Sequence, residues 1–308
     1  RDLVRSRGLG DVYKRQYQFY PAVIRSAARL IYDNVWAALC NPNGPEAKVM
    51  EHVLGNVQDL YDLYKNLIKS RELRGAMDFE TVETYIVANE QGKIEQILPR
   101  ERNDAHRLIE EMMLVANTCA ADFLQKNKAP CLYRVHEPPS QDRLEKARAT
   151  LAPFGVTLPG GDSPTPGDYA KVLESIADRP DKAMIQTILL RSMQQAVYSP
   201  HNVGHFGLAY DAYTHFTSPI RRYPDLLVHR AIRGILRRRK YVPKILVEPN
   251  EAEVPVQTRE IICKAKPDDK KKVAHIDLWE KLGLLCSAHE RRADEASYDV
   301  MALSLIHI

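Results

Sequence analysis

The chain has 308 residues, 44% of them hydrophobic and 27% charged, enough to bury the core of one large domain or two ordinary ones. Its 44 basic and 40 acidic residues leave a formal charge of +4, too close to balance to define a nucleic-acid binder by bulk charge. Cys40, Cys119, Cys131, Cys263 and Cys286 are scattered, with no CxxC pair, which argues against a disulfide frame or zinc site and for reduced thiols in a cytoplasmic setting.

No apolar run approaches the roughly 20 residues that span a membrane, and no internal repeat, GxGxxG, Walker loop or HExxH is present. From the N-terminal side, Phe19 to Leu30 has strand-like β-branched and aromatic content, and Ile31 to Leu39 reads as a helix. Asn41 to Pro45 (NPNGP) is a breaker. Ala47 to Arg74 is expected to be helical, with Val49, Val53, Val57, Leu60, Tyr64, Leu67 and Ile68 near helical spacing. Phe79 to Ala88 and Lys93 to Leu98 flank Asn89-Glu90-Gln91-Gly92 and predict a β-hairpin.

The clearest helix runs from about Asp104, its expected cap, to Asn127. Leu108, Met112, Val115, Cys119 and Phe123 make its apolar stripe. Two helices flank the Pro/Gly loop Leu158 to Asp168, and another is expected near Asp181 to Tyr198. Gly204 to Ala209 reads as a short strand. A helix follows Pro224 and ends in RRRK (Arg237 to Lys240), and the last long helix is expected over Leu278 to Ala302. The fold class is α/β or α+β, rich in helix.

The run from Tyr213 to Arg230, YTHFTSPIRRYPDLLVHR, concentrates the chemistry. Thr214, Thr217 and Ser218 can donate to phosphate oxygens, and Arg221 and Arg222 supply planar, permanently charged forks. Tyr213, Phe216 and Tyr223 can stack bases or pack the loop, with packing favoured for Phe216. Tyr223-Pro224-Asp225 reads as a helix start, and a helix starting beside such a loop is a natural anion site. Two adjacent arginines serve more often in surface ion pairs than in catalysis. Arg237 to Lys240 sits at a helix C-terminus, where positive charge is favoured anyway.

This run resembles the signature of the ribonuclease II / ribonuclease R family and its RNB catalytic domain. The resemblance extends, in the family's order, through Phe19 to Val35, Arg102 to Asn117, Tyr133 to Ser140, Leu158 to Ala170, Met193 to Tyr213 and Ser287 to Ser297. The GGD loop and the ERRADEA segment lean toward ribonuclease R. It implies a processive 3′-to-5′ exoribonuclease that hydrolyses single-stranded RNA to nucleoside 5′-monophosphates with Mg²⁺. It places the arginine pair at the active site, with Arg221 assigned to charge on the scissile phosphate and Arg222 to the RNA backbone or an acidic neighbour. A glutamate on the Asp104 helix, Glu110 in preference to Glu111, orients the arginine, although a solvated face is the default for both. Tyr213, His215, Thr217, Ser218 and Tyr223 are carried as RNA contacts; for His215, a hydrogen bond inside the fold is an equal alternative.

The family's metal ligands come from an aspartate cluster with a D-x-D-D core, which has no counterpart in this sequence. Asp268-Asp269 stands in lysine-rich surroundings, so no residue is assigned as a metal ligand. Asp11 to Gln16 (DVYKRQ) and Leu303 to Ile308 (LSLIHI) can be encoded by reverse-complementary DNA resembling a transposase adapter. Residues 1–16 and 303–308 are therefore expected to be non-native, leaving 17–302 as the C-terminal two-thirds of an RNB domain. The first 16 residues hold five basic and two acidic residues and the last six none, so the remainder is 39 − 38, or +1. The expected parent is a monomeric exonuclease; the chain alone is expected to be inactive. The alternatives are a non-catalytic single-stranded RNA-binding module and a helical domain whose arginine loop is incidental.

Overall fold

The computed structural model describes residues 2–6, 17–79, 83–89, 91, 94–100, 102–245 and 270–307. It divides into two compact units. The first comprises Arg1–Ala22, Lys69–Phe79 and Val115–Ser287; the second comprises Val23–Ile68, Glu80–Leu114 and Ala288–Ile308.

In the second unit, α1 (Tyr32–Cys40) and α2 (Pro45–Val49) precede α3 (Glu51–Arg74), whose last turns belong to the first unit. The long helix expected from Ala47 is two helices, broken at Met50, whose backbone leaves helical geometry. Ala38, Ala47 and Met50 form a small core there. The predicted hairpin is present as β3 (Glu83–Ala88) and β4 (Ile94–Arg100), paired antiparallel with an irregularity at Val87/Ala88.

Helix α4 (Asp104–Lys126) has residues in both units. Its cap is Asn103 rather than Asp104: Asn103 Oδ1 accepts from the Ala105 amide at 3.1 Å, an N-cap interaction. Asp104 instead accepts the hydroxyls of Tyr61 and Tyr64, at 3.4 and 3.3 Å. Of the expected stripe on α4, Leu108 and Cys119 are buried, whereas Met112, Val115 and Phe123 are half-buried, and the buried set also takes in Glu111, Leu114, Thr118 and Ala121.

In the first unit, β1 (Asp2–Ser6) pairs antiparallel with β2 (Tyr17–Pro21) from Asp2↔Pro21 to Ser6↔Tyr17. The strand expected over Phe19 to Leu30 ends at Pro21. Two short strands, β5 (Tyr133–Val135) and β6 (Val197–Ser199), pair antiparallel. Between them lie α5 (Gln141–Leu151), α6 (Pro166–Ser175) and α7 (Lys182–Ser192). Helix α6 opens on a reciprocal capping box between Thr165 and Asp168. Leu144, Leu151, Tyr169, Ile176, Ile185 and Leu189 close the core of these three helices.

Helix α7 stops at Ser192, short of the expected Tyr198, because Met193 turns to an extended conformation that leads into β6. Gly204 to Ala209 is not a strand. His205 makes isolated bridges to His136 and Tyr210, and Phe206–Leu208 forms a 3-10 turn closed by Ala209 in the left-handed region. Helix α8 (Tyr223–Leu236) and α9 (Lys270–His307) complete the chain, α9 starting eight residues before the expected boundary. Leu132, Tyr198, Leu227, Trp279 and Leu282 form a second core in this unit. Helices dominate beside three two-stranded sheets among the described residues, in keeping with the expected helix-rich α+β class. None of the described helices is long and apolar enough to cross a membrane.

Candidate nucleic-acid site

The signature segment Tyr213 to Arg222 is a loop whose shape is set from two sides. From α4, the buried Asn117 uses its whole amide. Its Oδ1 accepts from the backbone N–H groups of Phe216 and Thr217, at 2.9 and 3.2 Å, and its Nδ2 donates to the Tyr213 hydroxyl at 2.8 Å. From the start of α8, Asp225 accepts the Ser218 amide at 2.7 Å and the Arg222 guanidinium at 2.9 Å, both on Oδ1. Asp225 is 0% exposed, and its place in the first helical turn suits a carboxylate. A turn over Pro219–Arg221 closes with the Arg221 and Arg222 amides donating to the Ser218 carbonyl.

The two arginines therefore differ. Arg222 is anchored, with its side chain 21% exposed and paired to Asp225; its buried Nε, Asp225 Oδ2 and Thr217 Oγ1 have no hydrogen-bond partner among the described residues. Arg221 is exposed and makes no side-chain hydrogen bond or ion pair among the described residues. Of the pair, Arg221 is the guanidinium open to an external anion.

The other expected contacts separate into buried and accessible. Thr214 is fully buried and donates to the Leu132 carbonyl at 2.6 Å, so it is not a phosphate donor. Tyr213 is not placed as a base-stacking platform. Its ring lies parallel to Tyr210 at 6.0 Å and edge-on to His205 and His215, and burial pushes its hydroxyl up to about 12. Phe216 is core: it stacks on His229 at 4.1 Å and meets Phe19 edge-on. Tyr223, 44% exposed, keeps an accessible ring. Thr217 and Ser218 are half-buried on the turn.

His215 is part-exposed, with Nδ1 2.9 Å from the Tyr198 hydroxyl. Burial, then the positive charges of Arg222, Arg134 and Arg221 and the neighbouring His205, hold its pKa down at about 2, so the ring is neutral. Buried His136 and half-buried His205 flank this layer. His136 accepts from the Gly207 amide at Nδ1, with Nε2 2.8 Å from the Gln194 carbonyl. His205 accepts from the Leu208 amide. Burial, helped by Arg134, keeps both pKa values below the usual histidine range, that of His205 at about 3.

Glu110 and Glu111 also differ. Glu110 is half-exposed and paired with Arg102. Glu111 is 2% exposed, against the expectation of a solvated face; as a partnered carboxylate on the inward line of α4 it is protected from water. Asp268-Asp269 lies outside the described residues. Among the described residues, no group of three or more His, Cys, Asp or Glu gathers to hold a metal ion.

Asn117, Asp225, Arg134 and Tyr198 do not stand out as site residues in the sequence. For Asn117 a signal exists: one amide inside the small, apolar run VANTCAA of a helix.

A buried polar frame holding an exposed arginine beside a helix start defines an anion-binding class of site. Residues 9–238 match the model of the RNB domain, and the chain belongs to that family. It is 44% identical over 286 residues to ribonuclease R of Escherichia coli (strain K12), covering 92% of this chain and 32% of that protein. It thus spans about a third of the length of that curated relative. Its structure resembles Mycoplasma genitalium RNase R in complex with ribose methylated single-stranded RNA, with a TM-score of 0.67 and 33% identity over 72% of this chain and 34% of that one. The apo form of that enzyme gives a TM-score of 0.68 and 27% identity over 90% of this chain and 40% of that one.

Proposed function

We propose that this chain is the RNA-gripping part of a 3′-to-5′ exoribonuclease of the ribonuclease R type, which hydrolyses single-stranded RNA to nucleoside 5′-monophosphates. The observation that carries the reading is the exposed Arg221, without a side-chain partner among the described residues, on a loop fixed by Asn117 and Asp225. Membership of the RNB family and the RNA complexes of the Mycoplasma genitalium relative support it. Arg221 meets the scissile phosphate, where a preorganised cation counters developing charge. Arg222 grips the adjoining backbone while held by Asp225, and His215, Thr217, Ser218 and Tyr223 line the strand. By resemblance, Glu110 in preference to Glu111 remains the carboxylate proposed to orient the arginine.

By resemblance, the parent enzyme would draw on Mg²⁺, which would supply Lewis-acid chemistry at the phosphate. The described residues present no ligand cluster that fits it, so the contribution of the chain's own side chains is to bind and orient the phosphodiester. The parent enzyme is proposed to be cytoplasmic and monomeric. A site built of arginines and hydrogen-bond donors, without such a cluster among the described residues, also suits one alternative, a module that binds single strands without turnover.

The test is a uniformly labelled single-stranded RNA incubated with the chain in Mg²⁺, with binding and cleavage read separately for wild type and Arg221→Ala. Binding that weakens in Arg221→Ala supports the grip. Mononucleotide release lost in the same variant supports the nuclease, whereas binding without release supports the module. Binding indifferent to Arg221 overturns both.

A further inference from the structure

Tyr198 lies on β6 directly opposite Arg134 on β5, and the two side chains meet face on, with the guanidinium carbon 4.7 Å from the ring centroid. The ring of Tyr198 is buried, while its hydroxyl reaches His215 Nδ1 at 2.9 Å. The three groups form a layer from the small sheet to the signature loop: cation, phenol, imidazole. A cation over a phenol face withdraws electron density and favours the hydroxyl as donor over acceptor. In a neutral imidazole one nitrogen accepts and the other donates. A phenol donating to Nδ1 leaves the proton on Nε2, and His215 Nε2 makes no hydrogen bond among the described residues.

We propose that Tyr198, backed by Arg134, is a positioning residue that fixes His215 as the Nε2–H tautomer, so that the loop presents a neutral donor to a phosphodiester oxygen of RNA. The acceptor's identity rests on the RNA-binding reading above; the tautomer does not. The surrounding charge agrees, since Arg134, Arg221, Arg222 and His205 all disfavour a positive imidazole. A neutral donor adds a directed hydrogen bond to a layer that arginines already make cationic. The same surroundings disfavour His215 as a proton carrier near pH 7.

The experiment is ¹⁵N–¹H correlation NMR on the whole chain labelled at histidine, with His215 assigned through His215→Gln. The expected result is a neutral Nε2–H ring from pH 8 to 5. In Tyr198→Phe and Arg134→Met the tautomer shifts toward Nδ1–H, and in Tyr198→Phe affinity for a single-stranded oligoadenylate falls about five- to ten-fold, the loss of one directed hydrogen bond. An Nδ1–H ring in the wild type overturns the proposal. So does a Tyr198→Phe variant that melts like wild type and keeps its tautomer. If the chain fails to bind oligoadenylate at all, the RNA reading falls, while the spectra still decide what Tyr198 does to His215.

Discussion

Arg222 and Asp225 sit one turn apart at the mouth of α8 and are joined at 2.9 Å, with the same carboxylate oxygen also capturing the Ser218 amide. One buried anion thus fixes an arginine and the backbone that presents its exposed neighbour, Arg221. Breaking a buried ion pair by removing one partner leaves an uncompensated charge, which is more damaging than losing a surface pair. Asp225→Ala is expected to destabilise the chain by about 2–4 kcal/mol, allowing for the part-exposed arginine. Urea denaturation checks this; a midpoint unchanged from wild type refutes the role of Asp225.

Arg221→Ala is expected to behave in the opposite way. The side chain has no protein partner among the described residues, so stability should stay within about 0.5 kcal/mol of wild type, as for an ordinary surface substitution. RNA affinity should fall, and the slope of log affinity against log salt should lose about one phosphate contact, or ~0.7 for a single strand. Filter binding at several salt concentrations reads both.

Asn117→Ala removes three hydrogen bonds and leaves the Phe216 and Thr217 amides without their acceptor. The expected cost is about 2–4 kcal/mol, since each unsatisfied buried group carries its desolvation penalty. Asn117→Asp keeps the acceptor but loses the donor to Tyr213, and should fall between wild type and Asn117→Ala in the same denaturation series.

Acid should weaken the fold before carboxylates titrate. His205 and His215 have pKa values held down to about 3 and about 2 in the folded chain, chiefly by burial, and burial lowers that of His136 as well. In the unfolded chain they titrate near 6.5. Between those limits the unfolded state binds more protons, so the stability present above pH 6.5 is lost as pH falls toward 3. His205 and His215 each contribute a slope of about 1.4 kcal/mol per pH unit once pH is well below 6.5. Denaturation at pH 7, 6 and 5 should show a shallower loss in His205→Gln than in wild type; equal slopes refute the assignment.

Gly160 adopts φ +92, and an added Cβ would lie 2.5 Å from Pro164 Cα. Gly160→Ala combines a left-handed backbone with a backbone clash and should cost at least about 1–3 kcal/mol. Gly155 is also left-handed, with nothing within 4 Å of an added Cβ, so Gly155→Ala should cost less. Thermal melts of the two variants test the difference.

The elements that the sequence made legible were those set by local chemistry. Asn89 to Gly92 marked the β3–β4 turn, and the Pro/Gly loop before α6 marked a helix start. What local pattern missed was decided at a distance. His205 leaves its expected strand because its backbone is paired with both His136 and Tyr210 around a tight turn. Glu111 lies off the apolar stripe of α4, yet the buried face of that helix is wider than the stripe and takes in polar residues. The arginine pair was visible in the signature, but which arginine is anchored depends on the burial of Asp225, which spacing alone does not reveal.

The clamp between Asn117 and Phe216 joins residues 99 positions apart. On a ribosome, α4 is synthesised long before the loop that it holds, so its amide must wait, hydrated, until the signature segment emerges. Contacts this remote form late in folding, after the entropy of a long closure has been met. The arginine loop should therefore mature last, leaving a nascent chain whose helices form before that loop is organised.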